Sequence, residues 1–256
     1  MEHGVLTRKP LVEALVEIQW ALDTPAPGIS LDPDYKLLLG RFYDRVSGRY
    51  PVHEQLPTAT LPDELVAHQV QHRFRVGSDR WPLVQIGPGI LSVNQTVGYA
   101  WDSFREQTMA AVAALYAAHP RPGRLTVNSL LLRYIDAMRF DSQAHDVLRL
   151  LDEKMGVVVR WPSGLFDGTA VGPVPKRFLL QSEFSCGSPP STLTGTISTG
   201  LHGSGPALFW DTVIQSGDEQ LPVMPEGFGD WFDAAHDLAH RWFFGLVEGA
   251  LLEEFR

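Results

Sequence analysis

The sequence predicts an α+β fold, with one antiparallel sheet or more covered by long helices, and three observations predict it. Segments of strand-like, period-2 alternation recur from one end of the chain to the other. Three long segments with helix start and stop signals separate them. The strands are joined by short Pro- and Gly-containing turns, which make hairpins and not parallel crossovers.

The first strand is expected over residues 11–22. Val12, Ala14, Val16, Ile18, Trp20 and Leu22 share one face, and Glu13, Leu15, Glu17 and Gln19 share the other. A Pro- and Gly-rich loop follows over 23–32. Ser30 or Asp32 then caps a helix with Pro33 at its first position. That helix runs to about Arg49, with Leu37, Leu38, Phe42 and Val46 facing the core, and Tyr50-Pro51 ends it. Strands are predicted over 70–76, 83–86 and 90–96, the last two closing a hairpin through Gly87-Pro88-Gly89. A second helix spans about 100–118, with Asp102 and Glu106 favouring its N-terminal end.

A long strand over 125–140 contains Arg133 and Arg139. Ser142 caps a short helix over 144–155, and 156–176 is irregular. Strands follow at about 178–185, 192–199 and 207–215, with a hairpin turn at 200–205. One uninterrupted helix then covers about 229–254. The order strand, helix, strands, helix thus occurs twice. The expectation is a single α+β domain, 1–256, made of two similar halves, 1–123 and 124–256.

Composition bounds the function. The 256 residues are 44% hydrophobic and 20% charged, the balance of a chain that buries a core. A net charge of −9 opposes phosphate-coating contact with nucleic acid, so no nucleic-acid partner is expected. The single cysteine, Cys186, excludes an intrachain disulfide and a Cys-rich zinc module, and it reads as a buried inert thiol. The polar stretch Met1–Pro10 carries no targeting signal, and the apolar run 109–118 is far shorter than the roughly 18–20 residues a membrane span needs. A cytoplasmic protein without a membrane partner is the expectation.

Several segments together resemble a known family. They are Pro10-Leu11-Val12-Glu13-Ala14, Tyr50-Pro51 with Glu54, Gln85-Ile86-Gly87-Pro88-Gly89, Leu91-Ser92-Val93-Asn94-Gln95, Tyr99 with Trp101, Arg133-Tyr134-Ile135-Asp136, and Ala239-His240 with Phe243. As a set they are similar to a sporadically distributed bacterial family of unknown function. Asp136 departs from the pattern, since the family more often carries Asn there. The resemblance implies no reaction, cofactor or catalytic residue. Its patchy distribution is compatible with defence or toxin–antitoxin gene neighbourhoods.

Among chemistry-bearing residues, His236 and His240 stand four apart on a helix, the spacing of two metal ligands. The metalloprotease glutamate and a third ligand are missing, so histidines that hydrogen-bond locally or pack among Trp242 and Phe243 are the expectation, with no metal and no cofactor. His68 and His72 would share one strand face, and His53-Glu54 forms a third polar cluster. No nucleophile elbow or phosphate loop is present in the sequence. Charge inside strands is more informative. Glu13, Glu17, Gln85, Asn94, Arg133 and Glu183 either line a shared cleft or form a solvated outer face. An Arg133 buried in such a cleft needs a carboxylate, which Glu17 or Glu183 would supply.

Two functions stay open. One is a binding protein, antitoxin- or immunity-like, that takes a protein partner or a small ligand in a groove between sheet and helices. The other is an enzyme of cyclase or hydrolase type with an aromatic-lined cavity, drawing acid–base groups from Glu13, Glu17, Arg133, Asp136 and His240. The candidate contact residues for either are Glu13, Glu17, Gln85, Asn94, Tyr99, Trp101, Arg133, Asp136, Glu183 and His240.

Overall fold

A computed structural model describes residues 6–256; Met1–Val5, the start of the polar N-terminal stretch, lie outside the described residues. The element order is β1 (Leu11–Trp20), β2 (Asp23–Ala26), β3 (Ile29–Leu31), α1 (Tyr35–Val46), β4 (Val52–Gln55), β5 (His72–Arg75), β6 (Leu83–Gly87), β7 (Ile90–Gln95) and α2 (Trp101–Ala118). Then come β8 (Val127–Arg139), α3 (Val147–Met155), β9 (Leu179–Gly187), β10 (Pro190–His202), β11 (Gly205–Gly217), α4 (Phe228–Leu246) and α5 (Ala250–Phe255). The fold is α+β, as the alternation and turn chemistry indicate.

Among the described residues, nine strands form one sheet in the order β4-β5-β6-β7-β1-β8-β11-β10-β9, every pair antiparallel. β1 pairs with β7, the last strand of the meander that follows it, and β8 pairs with β11 in the same way. The two opening strands, β1 and β8, adjoin at the centre of the sheet. Hairpin connections account for this order, because a turn of a few residues can join only antiparallel neighbours.

Alternation decides which face the helices cover. Ala14, Val16, Ile18 and Trp20 of β1 are buried on the same side as Leu130 and Leu132 of β8 and Ile214 of β11. Against them pack Leu38 and Phe42 of α1, Phe104, Val112 and Leu115 of α2, and Phe228, Trp231 and Phe232 of α4. A second cluster joins Leu151 of α3, Trp210 of β11, Phe244 of α4 and Leu251 of α5. Arg105 of α2 forks onto Asp233 of α4, at 2.5 and 2.7 Å, which ties the two long helices together.

The β6–β7 turn shows why glycine is required there. Gly89 has φ +74°, and a Cβ on Gly87 would stand 1.9 Å from the Gln69 carbonyl oxygen. That turn is also held from outside: Asp32 accepts from the Gly89 amide at 3.2 Å and from the Trp20 indole at 3.0 Å.

Several expectations are corrected. Asp32 does not cap α1, which begins after Asp34, and Leu37 is 63% exposed because Tyr35, Leu38, Phe42 and Val46 form the buried stripe. Residues 23–31 are not all loop but carry the β2–β3 pair. Asp146, not Ser142, caps α3, accepting from the Leu148 and Arg149 amides. The last helix is not continuous: it ends at Leu246, and Gly249 at φ +89° separates it from α5. Cys186 is half-buried and not a core thiol. No helix among the described residues is long and apolar enough to cross a membrane.

Candidate functional site

Where β1 and β8 meet under α4, the sheet leaves a cavity of about 420 Å³. Its walls come from β1 and the residues before it (Leu6, Lys9, Pro10, Leu11), the entry to α2 (Tyr99, Trp101), β8 (Tyr134, Asp136), β11 (Thr212) and α4 (His236, Ala239, His240, Phe243, Phe244). Strand period explains the sheet's share. Tyr134 and Asp136 continue the helix-side row of Leu130 and Leu132, and Thr212 lies directly across from Tyr134. Leu11 joins them through a β-bulge. Glu13 is opposite Ile135 but Leu11 is opposite Asp136, so the extra residue, Val12, turns Leu11 to the cavity side.

The aromatic wall is ordered by specific contacts. The His236 imidazole stacks on Trp101 with ring centres 3.7 Å apart and planes at 8°. Its Nδ1 stands 2.9 Å from the Tyr134 hydroxyl, which is 2.8 Å from the Tyr99 hydroxyl. This is a Tyr–Tyr–His chain of hydrogen bonds along one side of the cavity. Burial sets its protonation. It pushes both phenols well above their ordinary value, so they stay neutral donors. Burial, followed by the neighbouring His240, pushes His236 down to about 4, so its imidazole is neutral at pH 7.

Asp136 is the acid among the described residues of the wall. It is 4% exposed, and its carboxyl makes no hydrogen bond or ion pair with any described residue. Burial first, and then the charge of Asp211, raise its pKa to about 8, so it is mostly a neutral acid at pH 7. A carboxylic acid in that state is a hydrogen-bond donor with a free acceptor oxygen beside it. Buried polar groups of this kind are usually satisfied, which makes an orphan in a cavity wall informative.

Of the ten residues singled out from sequence, Tyr99, Trp101, Asp136 and His240 converge on this cavity. Glu13, Glu17, Gln85, Asn94 and Arg133 do not; they lie on the sheet's other face. There Arg73 donates to Gln85 at 2.9 Å, Gln85 to Asn94 at 3.0 Å, and Asn94 to Glu13 at 2.7 Å. Glu54 closes the network by accepting from Arg75 at 2.7 Å. The expected pairing of Arg133 with Glu17 or Glu183 is corrected: Arg133 grips Asp211 across the β8–β11 register, with Nη2 at 2.5 Å. Glu17 instead accepts from Gln19 at 2.6 Å, and Glu183 is exposed on the edge strand β9. Arg133 thus takes its carboxylate from β11, and Glu17 and Glu183 are not its partners.

The histidine pairs also resolve. His68, at φ +54°, sits in a turn outside β5, so it shares no strand face with His72; it meets the Trp20 carbonyl at 3.0 Å. His72 instead meets His53 at 2.8 Å. No group of three or more His, Cys, Asp or Glu among the described residues, His236 and His240 included, could hold a metal ion.

Thr212 and Lys9 were not singled out from sequence, and Tyr134 entered only through the Arg133–Asp136 motif and not as a candidate contact. The signal for Tyr134 and Thr212 was their place on the apolar row of a central strand, where a polar group interrupts the pattern.

No protein-family model matches the chain, and no curated protein matches it. Two solved structures are similar over most of its length. One is the di-domain ARO/CYC StfQ from the steffimycin biosynthetic pathway, 12% identical, covering 95% of this chain and 97% of that one at a TM-score of 0.24. The other is DynU16, from the dynemicin biosynthetic locus, 13% identical, covering 90% and 98% at a TM-score of 0.23. At such scores the likeness carries no argument about this chain's fold or function.

Proposed function

We propose that the protein binds a small, mainly apolar molecule in the groove between the central strands and α4. The observation that carries this is the cavity itself. Its volume of about 420 Å³ falls in the range of small-molecule sites. It combines an aromatic and aliphatic wall with a few convergent polar groups, one of them the orphaned acid Asp136. On the other sheet face the polar strand groups Arg73, Gln85, Asn94 and Glu13, and Arg133 with Asp211, are taken up by hydrogen bonds among themselves. We also read the chain as one unit of two halves, 1–123 and 124–256, with the site at their joint, and as a member of the sporadic bacterial family it resembles.

One observation favours a second reading, acid–base catalysis on the bound molecule: a neutral carboxyl and a Tyr–Tyr–His chain line the same cavity. Binding is the common requirement of both readings and is tested first. The probe is 1-anilinonaphthalene-8-sulfonate, followed by its fluorescence and by quenching of tryptophan emission. The wild type is expected to take one probe per chain. Ala239→Phe and Leu11→Phe, which fill the cavity from α4 and from β1, should each weaken it at least tenfold with the melting transition retained. Equal binding in both folded variants, or no saturable binding in the wild type, would overturn the proposal.

A further inference from the structure

We infer that the cavity selects planar aromatic molecules bearing a carbonyl-type hydrogen-bond acceptor, and that the carboxyl group of Asp136 is the donor that reads it. This rests on the reading of the cavity as a small-molecule site and names the chemistry that the site takes.

Shape supplies the first half. Rings from Tyr99, Trp101, Tyr134, Phe243 and Phe244 border the cavity from three different elements. Several rings around one cavity reward a flat ligand by offset or edge-to-face contact, in addition to the apolar area removed from water.

The second half comes from which polar atoms have no partner. The Tyr99 and Tyr134 hydroxyls bond one another, and Tyr134 bonds Nδ1 of His236. Lys9, exposed at the mouth, donates to the Tyr99 carbonyl at 3.2 Å. Asp136, at 4% exposure, has no hydrogen-bond partner among the described residues, and it shares that state with the hydroxyl of Thr212 beside it, a weaker donor than a neutral carboxyl. Filling that position with an acceptor satisfies a buried donor at little desolvation cost to the protein, because the group has already left water. A hydrocarbon placed there leaves the donor orphaned, which is the discrimination that a polar group in an apolar pocket provides.

The alternative head group is an ammonium, which would need Asp136 ionised. The groups around it disfavour that. Asp211 stands behind it on β11, although Arg133 draws off part of that charge. Tyr99 and Tyr134 face it as neutral groups, and His240 and the neutral His236 of α4 line the same cavity. Lys9 already places one cation at the entrance. Burial keeps the acid protonated up to a pH of about 8.

The test uses one aromatic body with three head groups: 2-acetylnaphthalene, 2-ethylnaphthalene and 2-naphthylmethylamine. Each is titrated into the full chain by tryptophan quenching at pH 6.5, and the first two also at pH 9. At pH 6.5 the ketone is expected to bind about tenfold tighter than the ethyl compound, the worth of one well-placed hydrogen bond, and tighter than the amine. At pH 9 the wild type should lose most of that preference. Asp136→Asn, which keeps a neutral donor, should retain the preference at both pH values, and Asp136→Leu should abolish it at both. Equal affinity for ketone and ethyl compound at pH 6.5, tightest binding of the amine, or a preference surviving in Asp136→Leu would overturn the inference while leaving the cavity a binding site. Failure of all three probes to bind would remove the site reading and this inference with it.

Discussion

Replacing Asp136 by Asn should change how the stability of this protein depends on pH, and the size of the change follows from its burial. The carboxyl has an ordinary value of 3.8 and is raised to about 8 in the folded chain. Between those limits the folded state holds a proton that the unfolded state has released. A raised carboxyl of this kind contributes stability that is fully present below pH 3.8 and is lost as pH rises through about 8. The slope for one proton is about 1.4 kcal/mol per pH unit. From pH 5 to pH 7 the wild type should therefore lose roughly 2.7 kcal/mol relative to Asp136→Asn. Asn has the same shape and no charge to bury, so its own penalty for an unsatisfied amide is the same at both pH values and cancels. His236, held down to about 4 by burial, pulls in the opposite direction, its contribution being lost as pH falls from 6.5. It is present in both proteins and cancels as well. The assay is urea unfolding of the pair at pH 5, 6 and 7, followed by far-UV circular dichroism. Curves that run parallel within about 0.5 kcal/mol across that range would show that Asp136 is ionised in the fold, and the argument from its burial would fail.

Two further outcomes test the fold that positions the site. Gly87→Ala should cost more than about 3 kcal/mol, because its Cβ would meet the Gln69 carbonyl oxygen at 1.9 Å, whereas Gly40→Ala, inside α1 with open space around it, should stabilise by about 0.5–1 kcal/mol in the same urea melts. Arg133→Met should cost roughly 1–3 kcal/mol by leaving Asp211 without its partner, yet change 1-anilinonaphthalene-8-sulfonate affinity less than twofold, since the pair lies on the face away from the cavity; a large loss of probe binding would place Arg133 in the site.

Much of this architecture was legible in the chain because it is local. The alternation of Ala14, Val16, Ile18 and Trp20 identifies a half-buried strand whatever lies beside it. Pro88-Gly89 identifies a hairpin because that turn needs a residue free to take positive φ. The recurrence of strand, helix, strands, helix likewise follows from reading elements one at a time. Local signals also failed locally. The stripe of α1 was shifted by Leu37, and the break before α5 was missed because a single glycine at the end of an apolar helix gives little warning.

What the sequence determined by itself, then, is the class of the fold, the faces of its strands and the polar character of those faces. Tertiary structure decided what those faces meet. Periodicity tells which residues share a side, but not which strand comes next, because pairing depends on contacts between distant parts of the chain. Tyr99, Tyr134 and His236 become one hydrogen-bonded chain only because β8 takes its place beside β1 and α4 crosses over both. Asp136 and Arg133 are three residues apart on one strand, and that odd spacing sends one carboxyl into a dry cavity and the guanidinium to the opposite face with Asp211.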